Sequence, residues 1–403
     1  MSEFDAFPAE ASCALPVFYR TYSRRFGQDR QRENYLEVCK RNLAGLHDLD
    51  NLSETELQLI YDQQVNLHAL PSGRWMWVRG TSWIQQRENY YGAYNCTSTV
   101  INDVDSLALL LNLAMMGCGT GAVLEVDNVT LPTVSAKLKI EITNYPGEES
   151  PDSRWNVSHL SWSEADDDVA FLVVGDSREG WVDAYYELIN LAFTESGQVT
   201  VMVDLGSVRP VGEPLKGFGG VSNPIKLPDL FTKTAEILNG AYERALKPLE
   251  LCLMIDEAAS VVVAGNIRRT AGMRQFSIYD GEARGAKLNL WQQDHEGHWF
   301  IDPKKDALRM ANHTNVYHSW ISEEEVIEAV RTQYTTGEGA IQFAPEAVAR
   351  CNRDLLPSAE ARQRFLSLYC RGTGEAEDYL LDQAMEMGVH LSGSELNHRM
   401  SRY

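Results

Sequence analysis

The stretch "VAFLVVGDSREGWVDAYYELINLAF", followed closely by "VTVMVDL", narrows the fold more than any other part of the chain. An apolar run of strand length ends at a turn, a run with helical spacing follows, and a second β-branched run closes the unit. A crossover through a helix returns the chain to the same end of the sheet, so the two strands are expected to be parallel and the class α/β. A second segment, "VDSLALLLNLAMM", is hydrophobic on nearly every face and is expected to be a helix buried inside the protein. It runs into "GCGTGA", whose glycines permit a tight turn into the strand "AVLEV".

Around this nucleus, residues 16 to 68 read as helical, with Ser53 and Glu56 spaced for a capping box. "GRWMWVRGTS" follows as a short strand or loop. From about 128 to 165 the chain is polar, with alternation in "AKLKIEI" and turn residues in "YPGEESPDS", an inserted hairpin and loop. Residues 227 to 245 and 247 to 263 read as helices, "AGNIRRTAGMRQFSIYD" as loop and then strand, and the remainder as mostly helical and surface-like. There is no internal repeat and no low-complexity segment.

The 403 residues, 44% of them hydrophobic, allow a large packed core. A formal charge of −21 argues against a nucleic-acid polymer as partner, because phosphate backbones are bound by basic surface. A single nucleotide needs only a few local cations. No apolar run has the length of a membrane span, and the acidic start "MSEFDAFPAEASCALPVF" lacks the pattern of an export signal. The cysteines at 13, 39, 96, 118, 252, 351 and 370 form no CxxC pair, which leaves no structural zinc signature. A reducing cytoplasm is the expected compartment, where any disulfide is transient and catalytic.

Several loops have the residues to hold a nucleotide. "VRPVGEPLKGFGGVSNP" sets Gly217, Gly219 and Gly220 beside Lys216, so bare backbone could lie on a ligand while one cation meets a phosphate; a plain surface turn would use the same residues. "VAGNIRRTAG" places Arg268 and Arg269 between glycines, suited to a triphosphate or base edge, or to pairing with nearby acids. Asp176 and Ser177 stand where a strand gives way to a helix, as an anion site or as an ordinary cap, and Asp105 and Ser106 repeat that ambiguity. Cys96, in "NYYGAYNCTSTV", is either a small core residue or a thiol with a task.

Taken in order, "YNC", "DSL", "GCGTGA", "VGDSREGW", "VRPVGEPLKGFGG", "GNIRRTAG" and "ANHTNV" resemble the adenosylcobalamin-dependent (class II) ribonucleotide reductases, most closely the monomeric branch acting on ribonucleoside triphosphates. The resemblance runs from about residue 70 to 345 and implies the first part of a ten-stranded α/β barrel. A helical region over 1–70 would precede it, and an inserted effector-binding segment at about 128–215 would interrupt it. It implies thiyl-radical reduction of the ribose, in which Cys96 is the first of two reducing cysteines and Asn95, Thr81 and Ser82 lie against the substrate. Asp105, Ser106, Asp176 and Ser177 would contact a deoxyribonucleoside triphosphate effector. The loops holding Lys216, Gly217, Gly219 and Gly220, and Arg268 and Arg269, would be its specificity loops. Adenosylcobalamin is the implied cofactor and a thioredoxin-like dithiol the implied reductant, with no metal ligands of the chain's own.

The family's Asn-Pro-Cys-Gly-Glu radical loop has no counterpart here; "SELNHRMSRY" is similar to the segment just before it. The expectation is half of a reductase, with a second chain or a further stretch carrying the rest of the barrel and most cobalamin contacts, and with the isolated chain inactive. The alternative is a catalytically inactive nucleotide-binding or regulatory fragment of the same fold.

Overall fold

The computed structural model describes residues 7, 12–26, 31–48, 51–215, 221–264, 268–269 and 271–401. Helices α1 (Tyr35–His47), α2 (Glu54–Val65) and α3 (Gly73–Val78) lead into strand β1 (Cys96–Val100), helix α4 (Val104–Met115) and strand β2 (Gly119–Val123). The capping box at Ser53 and Glu56 forms as expected. "GRWMWV" does not become a strand or loop: Ser72 accepts from the Trp75 backbone and starts a single helical turn and a half.

The inserted region contains β3 (Ala136–Asn144), β4 (His159–Trp162), β5 (Val169–Val173), helix α5 (Arg178–Thr194) and β6 (Gly197–Asp204). Its four strands lie in the order β3-β6-β5-β4. The β5-α5-β6 unit is parallel, as its sequence requires. The expected hairpin at "AKLKIEI" is not formed, because β3 pairs in parallel with the distant β6 while the antiparallel pair is β4 with β5.

Helices α6 (Leu227–Gly240) and α7 (Pro248–Val261) return the chain to the first sheet, which β7 (Gly272–Ser277), β8 (Ala311–Tyr317) and β9 (Ala340–Phe343) extend, with α8 (Glu323–Thr336) crossing between the last two. This sheet has the order β9-β8-β7-β2-β1, every neighbouring pair is parallel, and it is open rather than closed into a barrel. One continuous core joins the two sheets through α4 to α7, with Leu107, Leu111, Tyr185, Leu188, Phe231 and Met254 fully or almost fully buried. The helices from 344 to 400 are more than surface cover, since Val348, Phe365 and Leu380 bury a separate small core. Among the described residues, no helix is long and apolar enough to cross a membrane.

Candidate functional site

Strand alternation and register divide the five-stranded sheet into two unlike faces. Arg274 stands opposite Ala122 and His313, and this face packs on α7. There Arg274, with no exposed surface, donates through Nε and Nη2 to Asp256 Oδ1 at 3.0 and 2.7 Å. Cys252 Sγ donates to Asp256 Oδ2 at 3.4 Å and lies 3.6 Å from His313 Nε2. Burial and the nearby cations Lys287 and Arg274 push the His313 imidazole down to about 3, so it is neutral. Burial likewise drives the Cys252 thiol far above its ordinary range. Three ligand-type atoms of Cys252, Asp256 and His313 come within 4.8 Å of one another. Asp256 is already neutralised by Arg274, however, and the cations beside it oppose a metal ion, so we read a self-contained buried network.

The opposite face carries Cys96 and Ser98 on β1, Gln275 on β7, Asn312 and Thr314 on β8, and Gln342 on β9. Cys96, the first residue of β1, is exposed and stands opposite Gly119. A side-chain carbon built at Gly119 would lie 3.8 Å from the Cys96 sulfur, so the glycine leaves open space beside the thiol. Gln275 donates to the Gln342 side chain across the intervening strand. This is a polar row with an accessible thiol at one end: Cys96, Ser98 and Asn312 are exposed, whereas Gln275 and Thr314 are buried. Its members at 98, 275, 312, 314 and 342 escaped the sequence reading; "ANHTNV" marked two of these positions, but assigning them to a face requires the register.

Asn95 precedes the thiol and accepts from Arg74 Nε at 3.1 Å. Thr81 donates its hydroxyl to the Val78 carbonyl at 2.7 Å, and Ser82 is exposed at the start of a four-residue helix. No hydrogen bond among the described residues links either to Asn95 or Cys96. Cys118 is buried and donates to the carbonyls of Tyr91 and Tyr94 at 3.1 and 3.4 Å; burial, then the neighbouring Cys96, raises its thiol to about 11.

A cavity of about 350 Å³ lies between the inserted unit and the sheet, bounded by Trp83, Met116, Asp176, Ser177, Trp181 and Asn223. Ser177 is the N-cap of α5, accepting from Gly180 N at 2.8 Å. Asp176 is buried and accepts from both the backbone N and Nε of Arg209 at 2.9 Å. Arg209 also donates to the Pro214 carbonyl, while Gly212 and Glu213 exchange backbone bonds with Ser222, so both ends of the 216–220 loop are fixed at the cavity rim. Lys216, Gly217, Gly219 and Gly220 themselves lie outside the described residues. Val261 and Val262 on the cavity wall lead into the second loop, in which Arg268 and Arg269 pair with Ala264 and Val263 as a two-stranded ribbon. Two buried polar atoms of cavity-lining side chains, Arg178 Nη1 and Asn223 Oδ1, have no hydrogen-bond partner among the described residues. Asp105 and Ser106 are elsewhere. Asp103 is the cap of α4 and Ser106 completes its capping box, while Asp105 lines a separate cavity of about 630 Å³ with Asp183 and Glu187.

Residues 140–238 match the insertion domain of the B12-dependent ribonucleotide reductases. The chain is 26% identical over 351 residues to an adenosylcobalamin-dependent ribonucleoside-triphosphate reductase of Lactobacillus helveticus, covering 77% of this chain and 44% of that protein. It is 28% identical over 373 residues to the reductase of the same name from Levilactobacillus brevis, covering 82% and 47%. In three dimensions it is similar to a crystal structure of a B12-dependent (class II) ribonucleotide reductase, with a TM-score of 0.62 and 22% identity over 81% of this chain and 49% of that one. The chain thus has the fold of the class II ribonucleotide reductases and, over residues 140–238, the likeness of their insertion domain. Within that class, the sequences it is similar to are the adenosylcobalamin-dependent ribonucleoside-triphosphate reductases, and it spans less than half of their length.

Proposed function

We propose that this chain carries the substrate-facing sheet, one redox thiol and the effector-responsive part of an adenosylcobalamin-dependent ribonucleoside-triphosphate reductase. The observation that carries the reading is Cys96. It is an exposed thiol at the head of a strand, on the face of the parallel sheet that carries Ser98, Gln275, Asn312 and Thr314, with Asn95 beside it. In this reaction the 2′-carbon of the ribose loses its hydroxyl as water and gains a hydrogen, while two thiols give up two electrons and become a disulfide. Cys96 would be one of them, regenerated by a thioredoxin-like dithiol through exchange. Asn95 would orient the ribose, and Thr81 and Ser82 are the more distant substrate residues of the same proposal.

The effector is a deoxyribonucleoside triphosphate in the cavity lined by Asp176, Ser177, Arg178 and Asn223. Arg178 Nη1 supplies an unpaired donor for a phosphate or base oxygen and Asn223 Oδ1 an unpaired acceptor. Asp176 Oδ1 and the Ser177 hydroxyl are engaged by Arg209, Gly180 and Asn156 and shape this site, while Asp176 Oδ2 lies 3.9 Å from Arg154 Nη1. Lys216, Gly217, Gly219 and Gly220, with Arg268 and Arg269, are the proposed specificity loops that would couple the effector to the substrate. Asp105 and Ser106 would contribute only if the nucleotide reaches along α4.

Adenosylcobalamin supplies the radical when bound. Of the histidines beside this sheet, His318 is held by Glu125 and His313 is buried on the helix side, so neither is free for a corrinoid to engage. The cofactor's contacts, and the partner of Cys96, therefore belong to the stretch of the relatives that this chain does not span, whether in the same polypeptide or a second one. Replacing Cys96 with Ser in the complete enzyme tests the reading. Multiple turnover with a dithiol should fall by at least about a thousandfold with nucleotide binding retained, since serine cannot enter a disulfide. Undiminished steady-state turnover would remove Cys96 from the chemistry.

A further inference from the structure

The motif "GRWMWVRG" has no part in the function so far, yet it supplies the most deeply engaged side chain near the thiol. Arg74, on α3, is only 4% exposed. Its guanidinium donates Nε to Asn95 Oδ1 at 3.1 Å and Nη1 to the carbonyls of Gly92 and Met116 at 2.8 and 3.1 Å. Nη2 donates to the Gly117 carbonyl at 2.7 Å. Two pieces of chain meet on this one group: the loop that delivers Asn95 and Cys96, and the turn from α4 into β2. Gly117, at φ +72°, has the left-handed backbone that turns its carbonyl toward the guanidinium. Cys118 closes the other side of the same loop through Tyr91 and Tyr94.

The connection reaches the nucleotide cavity from two directions. Met116, one of the Arg74 acceptors, lines it. Arg178, also on its wall, donates to Asn89 Oδ1 at 2.9 Å, and Asn89 lies in the 3₁₀ helix Arg87–Ala93, which contains Gly92 and stops two residues before Asn95. A planar fork with several donors holds several carbonyls at fixed angles, which an ammonium cannot do. We propose that Arg74 is a positioning residue, which sets the orientation of Asn95 and Cys96 and ties them to the wall of the nucleotide cavity. The proposal rests on the reading of Cys96 as the redox thiol, but it makes a claim about geometry that can fail separately.

The chain's own cysteines test it. Alkylation by iodoacetamide, mapped by peptide mass spectrometry on the full chain, reads Cys96 against exposed Cys351 as the rate standard, with buried Cys39 and Cys252 reporting on the fold. In Arg74→Gln the ratio of Cys96 to Cys351 rates should change by roughly fivefold or more, and its pH profile should shift, while Cys39 and Cys252 stay protected. Arg74→Lys should recover part of the effect. In the parent protein, a deoxyribonucleoside triphosphate should alter the Cys96 rate, and in Arg74→Gln it should bind without doing so. An unchanged rate ratio in both variants, or a nucleotide response that survives in Arg74→Gln, would overturn the proposal. Reactive Cys39 and Cys252 in both variants would also overturn it, showing Arg74 to support the fold as a whole. If Cys96→Ser turns over normally while Arg74→Gln still shifts the Cys96 rate, the redox reading falls and the positioning role stands.

Discussion

The two faces of the five-stranded sheet hold similar side chains in opposite circumstances. On the helix side, Cys252, Asp256, Arg274 and His313 are buried and satisfy one another. On the other side, Cys96 is exposed, with Ser98 and Asn312 also exposed on the same face. A thiol's reactivity follows its thiolate fraction and its access, and Cys252 is denied both. The lesson is that a cluster rich in cysteine, histidine and aspartate can be a structural fastening, while a lone cysteine at a strand head keeps the access that reactivity needs.

The strongest way to break the buried side is Asp256→Ala, which strands the Arg274 guanidinium at 0% exposure. Loss of one partner of a buried pair should cost about 3 to 5 kcal/mol in a urea unfolding titration. A cost below about 1 kcal/mol would mean that the network is wetter than described. On the Cys96 side, Gly121→Ala should cost about 1 to 3 kcal/mol, because the added carbon would come 2.8 Å from the Thr97 carbonyl oxygen, which is backbone and cannot swing away. Gly119→Ala meets its nearest atom at 3.3 Å and should cost less, but its methyl sits beside the Cys96 sulfur and should slow alkylation there. Equal stability for the two variants would contradict the assigned register.

The buried face should also respond to pH. The unfolded chain's imidazole takes up a proton below its ordinary 6.5, whereas folded His313 stays neutral down to about 3. The unfolded state therefore binds more protons in this window, and stability is lost as pH falls through it, by up to about 1.4 kcal/mol per pH unit. Comparing urea midpoints of the parent and His313→Gln between pH 7 and 4 isolates this part, since the variant has no such group to protonate. Parallel pH curves for the two proteins would show that His313 is already charged or exposed.

Much of the architecture was legible because it is local. The β5-α5-β6 unit, buried α4 and the glycine turn into β2 follow from apolar periodicity and turn chemistry. α3 was not, for a specific reason: Arg74, Met76 and Val78 are buried at every second position, and a six-residue helix is too short to display its true period. The partner of β3 was hidden because pairing with β6 is set by packing more than fifty residues away. At the site, Cys96 and the Asp176 region stood out by residue type. The glutamines, Asn312 and Thr314 did not, since a shift of one residue in register would turn them to the other face. Asp176 and Ser177 line the cavity while also serving as ion-pair partner and helix cap, a double use that residue type alone does not reveal.

The contrast between the faces is tested most directly by measuring the alkylation rates of Cys96 and Cys252 in the full chain, with and without a ribonucleoside triphosphate. Cys96 should react at least about a hundredfold faster than Cys252, as access and thiolate fraction both favour it, and the nucleotide should slow Cys96 alone. Comparable rates for the two thiols, or protection of Cys252 with Cys96 unaffected, would contradict the assignment of the Cys96 face as the one that meets substrate.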